Sequence, residues 1–332
     1  MRRWLAVLLT LPLLVACSDG KEVVEGPTTT AEDDAGDDNG PGATVELLDP
    51  GAEPRQVLRL HPPADCEQPV TQRQTISQRA VSGSVDGKAL TDAEIASISA
   101  GANGQSTEMD LTFRCEEVDA NRIAVVNHYD DLRVLEALGG EVETLEQLFG
   151  DLEGAEGRIV LDPQGRVLDA EPPDVEIDED TLGPAFAQAM ESMLQGLGDT
   201  MEQSATPLPT EAVGVGARWR VTSAIDFAGI AARSISEYTI TRIEGDQVDA
   251  ELAISMEFDP GAVEFPGTPP GASAEIVSGS MAGTGTTTWN LDGVVAASRQ
   301  IVDGALTMRI RARDGAIELS MEQHQELKLE PR

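Results

Sequence analysis

Apolar and polar residues alternate one for one in three separate runs of the chain. Met109, Leu111, Phe113 and Cys115 interleave with Glu108, Asp110, Thr112 and Arg114. Leu252, Ile254, Met256 and Phe258 interleave with Glu251, Ala253, Ser255 and Glu257, and Ile317, Leu319 and Met321 repeat the rhythm near the end. A period of two sends one set of side chains to a core and the other to water, as a strand does and a helix with its period of 3.6 does not. Leu306, Met308 and Ile310 precede the last run across Asp314-Gly315, a dipeptide that favours a hairpin between antiparallel strands. The expected fold class is therefore mainly antiparallel β (α+β), with short connections.

Helical spacing is confined to three segments. Leu182, Phe186, Met190, Met193, Leu197 and Met201 recur at helical intervals, with Pro184 placed for a first turn. Val142, Leu145, Leu148, Phe149 and Leu152 mark a shorter helix, and Thr91-x-x-Glu94 reads as a capping box ahead of Ile95 and Ile98. The methionine-rich 182–201 stripe has two readings. It packs on sheet as an ordinary apolar face, or it covers a pliable cavity lined by Phe186, Met190, Met193 and Leu197.

The N-terminus carries an address. Arg2 and Arg3 precede the 12-residue, mostly apolar stretch Trp4 to Val15, which ends at Ala16-Cys17. That order is the layout of a secretory signal over residues 1–16, and the stretch falls short of the roughly 20 residues that span a bilayer. Leu13-Leu14-Val15-Ala16-Cys17 resembles the lipobox of bacterial lipoproteins. The resemblance implies that Cys17 becomes a lipidated N-terminus and partners the membrane through its acyl chains. The expected location is extracytoplasmic: the outer membrane in a Gram-negative cell, the outer leaflet of the plasma membrane in a Gram-positive one. Residues 17–45 then read as an acidic, Gly/Pro-containing tether, with Glu32-Asp33-Asp34 and Gly40-Pro41-Gly42 and almost no large apolar residue. As a coil it spans roughly 30 Å.

Charge and cysteines narrow the partners. The formal charge is −36, and losing Arg2 and Arg3 with the leader takes it to −38. Such a chain repels nucleic acid and anionic headgroups. Aromatic residues at 3% are too few for base-stacking platforms. With Cys17 lipidated, Cys66 and Cys115 remain, and an exported pair with no third thiol is most simply a disulfide. It closes a 49-residue separation, for about 4 kcal/mol in the chain-entropy picture.

A weak internal echo divides the rest. Gly157 to Val167 and Gly285 to Val295 both read as strand, Asp/Gly turn, strand, which suggests two related halves of curved sheet, 46–206 and 207–332. The boundary runs Pro207-Leu208-Pro209-Thr210-Glu211-Ala212-Val213-Gly214-Val215-Gly216-Ala217-Arg218-Trp219. It is similar to the "LP, then VxVG, then W" signature of a bacterial exported lipoprotein family with no established activity. More distantly, curved sheet with helix on an exported lipoprotein resembles the half-barrel lipid carriers of the cell envelope. These resemblances imply an antiparallel β architecture over residues 55–328 and, from the second, a lipid ligand.

No chemistry stands out. His61, His128 and His324 each lack a second histidine at three or four residues, so no zinc-helix pattern exists. Gly279-Ser280-Met281-Ala282-Gly283 has its serine one place early for a nucleophile elbow, and Gly214-x-Gly216 lacks the third glycine of a dinucleotide loop. The acidic run Asp174 to Asp180 lacks the spacing of a calcium loop, although remote strand carboxylates can still converge. No catalytic, metal or cofactor-binding residue is expected. The leading expectation is a non-enzymatic, lipid-anchored envelope protein that binds an apolar ligand or lipid. Its alternatives are a scaffold presenting a surface to an envelope protein partner and, third, an exported hydrolase.

Overall fold

The structure is a computed structural model that describes residues 43–100, 104–136, 150, 152–173, 175, 206–227, 230–263, 272–312 and 315–332. Cys17, the tether up to residue 42 and the whole 182–201 stripe lie outside the described residues, as does the 142–152 segment apart from Gly150 and Leu152.

Strands dominate, as the alternation requires. In chain order they are β1 (Ala43–Asp49), β2 (Glu67–Val85), β3 (Lys88–Ala89), β4 (Gln105–Val118), β5 (Ile123–Glu136), β6 (Glu156–Leu161) and β7 (Val167–Glu171). They continue with β8 (Arg218–Phe227), β9 (Ile230–Glu244), β10 (Gln247–Phe258), β11 (Gly261–Val263), β12 (Ser273–Asn290), β13 (Ala297–Ala312) and β14 (Gly315–Pro331). One antiparallel sheet contains all of them, in the order β1-β8-β9-β10-β12-β13-β14-β2-β4-β5-β6-β7, with β11 on β12 and β3 on β2. The β13–β14 hairpin forms across residues 313–314, with Ala312 opposite Gly315.

Among the described residues the one multi-turn helix is α1 (Asp92–Ala100). Its capping box is made: the Thr91 amide donates to Glu94 Oε2 at 2.8 Å, and the Glu94 amide donates back to Thr91 Oγ1 at 3.4 Å. Ile95 and Ile98 pack on Ala80 and Leu319 of the sheet. The two or three packed helices expected from the sequence thus reduce to one here, because the other two segments fall on undescribed residues. Leu152, assigned to the second of them, sits buried in a turn.

The division into halves needs correction in two places. Strand β1 begins at Ala43, so the last three tether residues are strand, and it pairs with β8 of the second half rather than with its own sequence neighbours. Strand β14 pairs with β2 over fifteen positions, which fuses the halves into one sheet.

The principal core sits where the sheet curls its two ends together. Val221, Tyr238, Val248 and Leu252 from one end share a cluster with Ile123, Val125 and Leu161 from the other. Two connectors fill the space between them. Gln56 and Val213 exchange backbone hydrogen bonds at 2.9 and 2.8 Å, while the Leu60 and Leu208 amides donate to Pro163 and Gln164 in the β6–β7 turn. Leu58, Leu208 and Val213 are fully buried there. The Leu-Pro…Val-x-Val-Gly…Trp run is this plug. Trp219 stacks on Tyr238 at 5.0 Å and donates Nε1–H to the Pro207 carbonyl. Gly214 has no room for a side chain, since a Cβ would strike the Ala52 carbonyl, and Gly216 turns the chain at φ +84°.

Candidate functional site

Directly opposed residues of neighbouring strands share a face, so the register assigns every strand side chain to the inside or the outside of the curled sheet. With the bulges counted, no Asp, Glu, Lys, Arg or His of the twelve strands in the sheet order falls on the inner face among the described residues. In a chain of 59 acidic and 23 basic residues this segregation defines the candidate site.

The inner face has three zones. At one end lies the connector-filled core, continued by Val70, Leu111, Tyr129 and Leu329. At the other lies a methionine-rich floor, in which Met256, Met281, Met308 and Met321 accompany Phe258, Ile276 and Leu306. Met256 stands directly opposite Met281, and Leu306 opposite Met321. Between the two runs a belt of amides. Gln72, Gln74 and Gln78 of β2, Gln105 of β4, Gln300 of β13, and Gln323 and Gln325 of β14 all lie on the inner face. Gln78 is opposite Gln323, whereas Leu327 is flanked by Gln300 and Gln74. Gln105 and Gln323 are buried and the other five are half-buried.

Bare backbone crosses this belt on β12 and β13. A Cβ at Gly283 would run into the Ile301 carbonyl and one at Gly304 into Met281 and the Ser280 carbonyl, so β12 and β13 approach too closely there for side chains. Three inner-face polar groups lack partners. Gln105 Nε2, Asn127 Oδ1 and Thr287 Oγ1 are buried without a hydrogen bond among the described residues, and their residues are 3%, 2% and 1% exposed. Burial raises the Tyr129 phenol to about 12 and the Tyr238 phenol higher still, so neither adds charge near neutral pH.

The outer face is a lattice of ion pairs. Glu108 is held by Arg73 and Arg133, Asp110 by Arg133 and Arg332 at 3.3 and 3.2 Å, and Asp130 by Arg332 at 2.6 Å. Burial favours the neutral form of Asp130, but hydrogen bonds from Thr112 and Arg332 outweigh it and hold the carboxyl below the usual range. His128 lies 3.8 Å from Asp130 and 3.6 Å from Glu156, and the Thr112 hydroxyl donates to Asp130 rather than to the imidazole. That order is not the nucleophile–base–acid sequence of acyl transfer. His61 contacts the Leu291 carbonyl and Asp246, and His324 contacts Asp303. Among the described residues no group of three or more His, Cys, Asp or Glu is placed to hold a metal. A separate cleft of about 300 Å³ lies between Gln56, Val215 and Ile243, with Arg55 tied to Glu53 and to the Gly51 carbonyl.

Of the residues singled out by sequence, Cys66 and Cys115 are joined as a disulfide, Cα to Cα 5.2 Å, that fastens the entry to β2 against β4. Phe186, Met190, Met193 and Leu197 lie outside the described residues. The glutamine belt was missed because its hydropathy has no period, both faces being polar. A signal existed: charge alternates even where hydropathy does not, as in Glu322, His324, Glu326 and Lys328 against Gln323, Gln325 and Leu327.

No protein-family model and no curated protein matches the chain. Among solved structures it is similar to an outer membrane channel from Pseudomonas putida F1, at 8% identity and a TM-score of 0.20, over 82% of this chain and 97% of that one. It is also similar to the β domain of a Bordetella autotransporter, at 9% identity and a TM-score of 0.11, over 80% and 99%. Likenesses this slight carry no functional argument. Among the described residues no helix is long and apolar enough to cross a membrane.

Proposed function

We propose that the protein is anchored to the cell envelope through lipidated Cys17 and binds an apolar or amphiphilic ligand, without reacting it, on the inner face of its sheet. The observation that carries this reading is the absence of charge from that face among the described strand residues, together with its half-buried middle. A sheet that only needed a packed core has no use for a belt of seven glutamines on its core side, because unpaired polar groups weaken burial. An ion-binding or catalytic surface, conversely, needs charged or titratable groups, and these stand on the other face.

The halves are read as related. A shift of 128 residues, from Gly157 to Gly285, brings β4 onto β9, β5 onto β10, β6 onto β12 and β7 onto β13.

Native mass spectrometry of the protein purified from its own cells tests the proposal. A bound species of lipid mass, released by organic solvent, is the expected result. Protein that arrives empty and takes up no lipid or apolar dye would overturn it.

A further inference from the structure

Building on that reading, we propose that the ligand is a neutral amphiphile: hydrocarbon chains laid on the methionine floor and an uncharged, hydroxyl-bearing head held by the glutamine belt. The floor and the belt are continuous. Along β14 the inner face passes from Met321 to Gln323 to Gln325, and two residues of strand advance roughly 7 Å, so one molecule can touch both. Methionine suits the chains, since its flexible thioether adapts to an acyl group of any length.

The head is fixed by elimination. A carboxylate or phosphate would be buried on a face where no Lys, Arg or His of the described strands stands, under a protein of net charge −36. An ammonium head would find no carboxylate of the described strands on this face either. A bare hydrocarbon would cover Gln78 and Gln323 and leave their amides unpaired, adding to the orphaned Gln105 Nε2 and Thr287 Oγ1. A hydroxyl or ester head answers both constraints. It accepts from the amide N–H, a hydroxyl donates to the amide oxygen, and it brings no charge to desolvate.

The test uses the full chain carrying Cys17→Ser, which removes the acyl anchor. The protein is incubated with phosphatidylcholine vesicles doped equally with diacylglycerol, oleate, phosphatidylglycerol and squalane, then separated by flotation and its lipid quantified. Diacylglycerol should leave with the protein at least about tenfold over each of the other dopants and over phosphatidylcholine. A Gln78→Leu/Gln323→Leu double variant, checked for a native circular dichroism spectrum, should lose about tenfold in diacylglycerol while retaining squalane at least as well, as expected for two lost hydrogen bonds. Oleate or phosphatidylglycerol retained as well as diacylglycerol would overturn the neutral-head proposal yet leave lipid binding standing. Unchanged diacylglycerol retention in the folded double variant would overturn the role of the belt. Should that variant not fold, the selectivity of the unaltered belt still decides the class of head. Protein that retains no lipid of any kind overturns this inference and the function it rests on together.

Discussion

The two faces of the sheet solve opposite problems with the same strands. On the outer face of β13 and β14, Arg299 pairs with Glu326 and Arg309 with Glu318, all four in part open to solvent. One residue further along each strand, the inner face carries Gln300, Val302, Leu306, Met308, Leu319 and Leu327. Surface pairs of this kind stabilise weakly, typically by less than about 1 kcal/mol each. Such pairs therefore tolerate change, whereas a charge placed on the inner face would find no partner among the described strand residues. A charged outside and an uncharged inner face come from one device, a period of two reset at the bulges.

Neighbouring residues of β13 give the sharpest way to break this contrast. Ala305 is exposed on the outer face, and Leu306 is buried on the inner one at 6%. Leu306→Glu strands a carboxylate among Met281, Met308 and Met321 and should cost about 4 kcal/mol or more in urea unfolding. Ala305→Glu should stay within about 0.5 kcal/mol of the parent. Equal losses in the two variants would show that the register does not separate the faces.

A smaller effect is expected where β12 and β13 approach most closely. Gly283→Ala adds one methyl that meets the Ile301 carbonyl on β13, and forcing the strands apart should cost about 1–3 kcal/mol. Ala282→Gly, on the exposed opposite face, should cost less than about 1 kcal/mol. Thermal unfolding of the pair measures the difference. If Gly283→Ala is silent, the curl of the sheet does not depend on that close approach.

Much of this architecture was legible because burial and hydropathy agree along β4, β10 and β14. Thr91 and Glu94 announced their helix by local chemistry alone, and Cys66 and Cys115 by elimination of the third thiol. Two features were not legible. The pairing of β1 with β8 joins residues some 170 positions apart, and no local pattern encodes which edge a strand will find. The amide belt hid because Gln72, Gln74 and Gln78 alternate with Thr71, Arg73, Thr75, Ser77 and Arg79, so both faces of β2 look wet. The methionines of residues 190–201 stand out in the sequence by their helical spacing, whereas Met256, Met281, Met308 and Met321, spread over four strands, form the apolar floor of the sheet. The run from Pro207 to Trp219, met in the sequence only as a boundary between halves, stands in the principal core.

Acid titration should produce the smallest effect, on one face only. The Arg220 hydrogen bond holds Glu237 below the usual carboxylate range, and Arg311 with Arg309 does the same for Glu275. Burial opposes the shift of Asp249, but its bonds from Gln247, Thr288 and Arg242 prevail. A carboxyl whose pKa is lower folded than unfolded binds fewer protons in the folded state, so it stabilises the protein above the ordinary carboxylate range. That stability disappears as pH falls through the unfolded value, about 4, toward the folded one. The urea midpoint should thus hold level from about pH 8 to 5 and decline below. Glu237→Gln should lower the neutral-pH stability by no more than about 1 kcal/mol and make the acid decline shallower. Ligand retention by folded protein should not change across the level range, because no inner-face strand residue titrates there and Tyr129 is pushed up to about 12. A retention curve that bends between pH 5 and 8 would place an ionising group on the inner face and end the contrast between the two sides of the sheet.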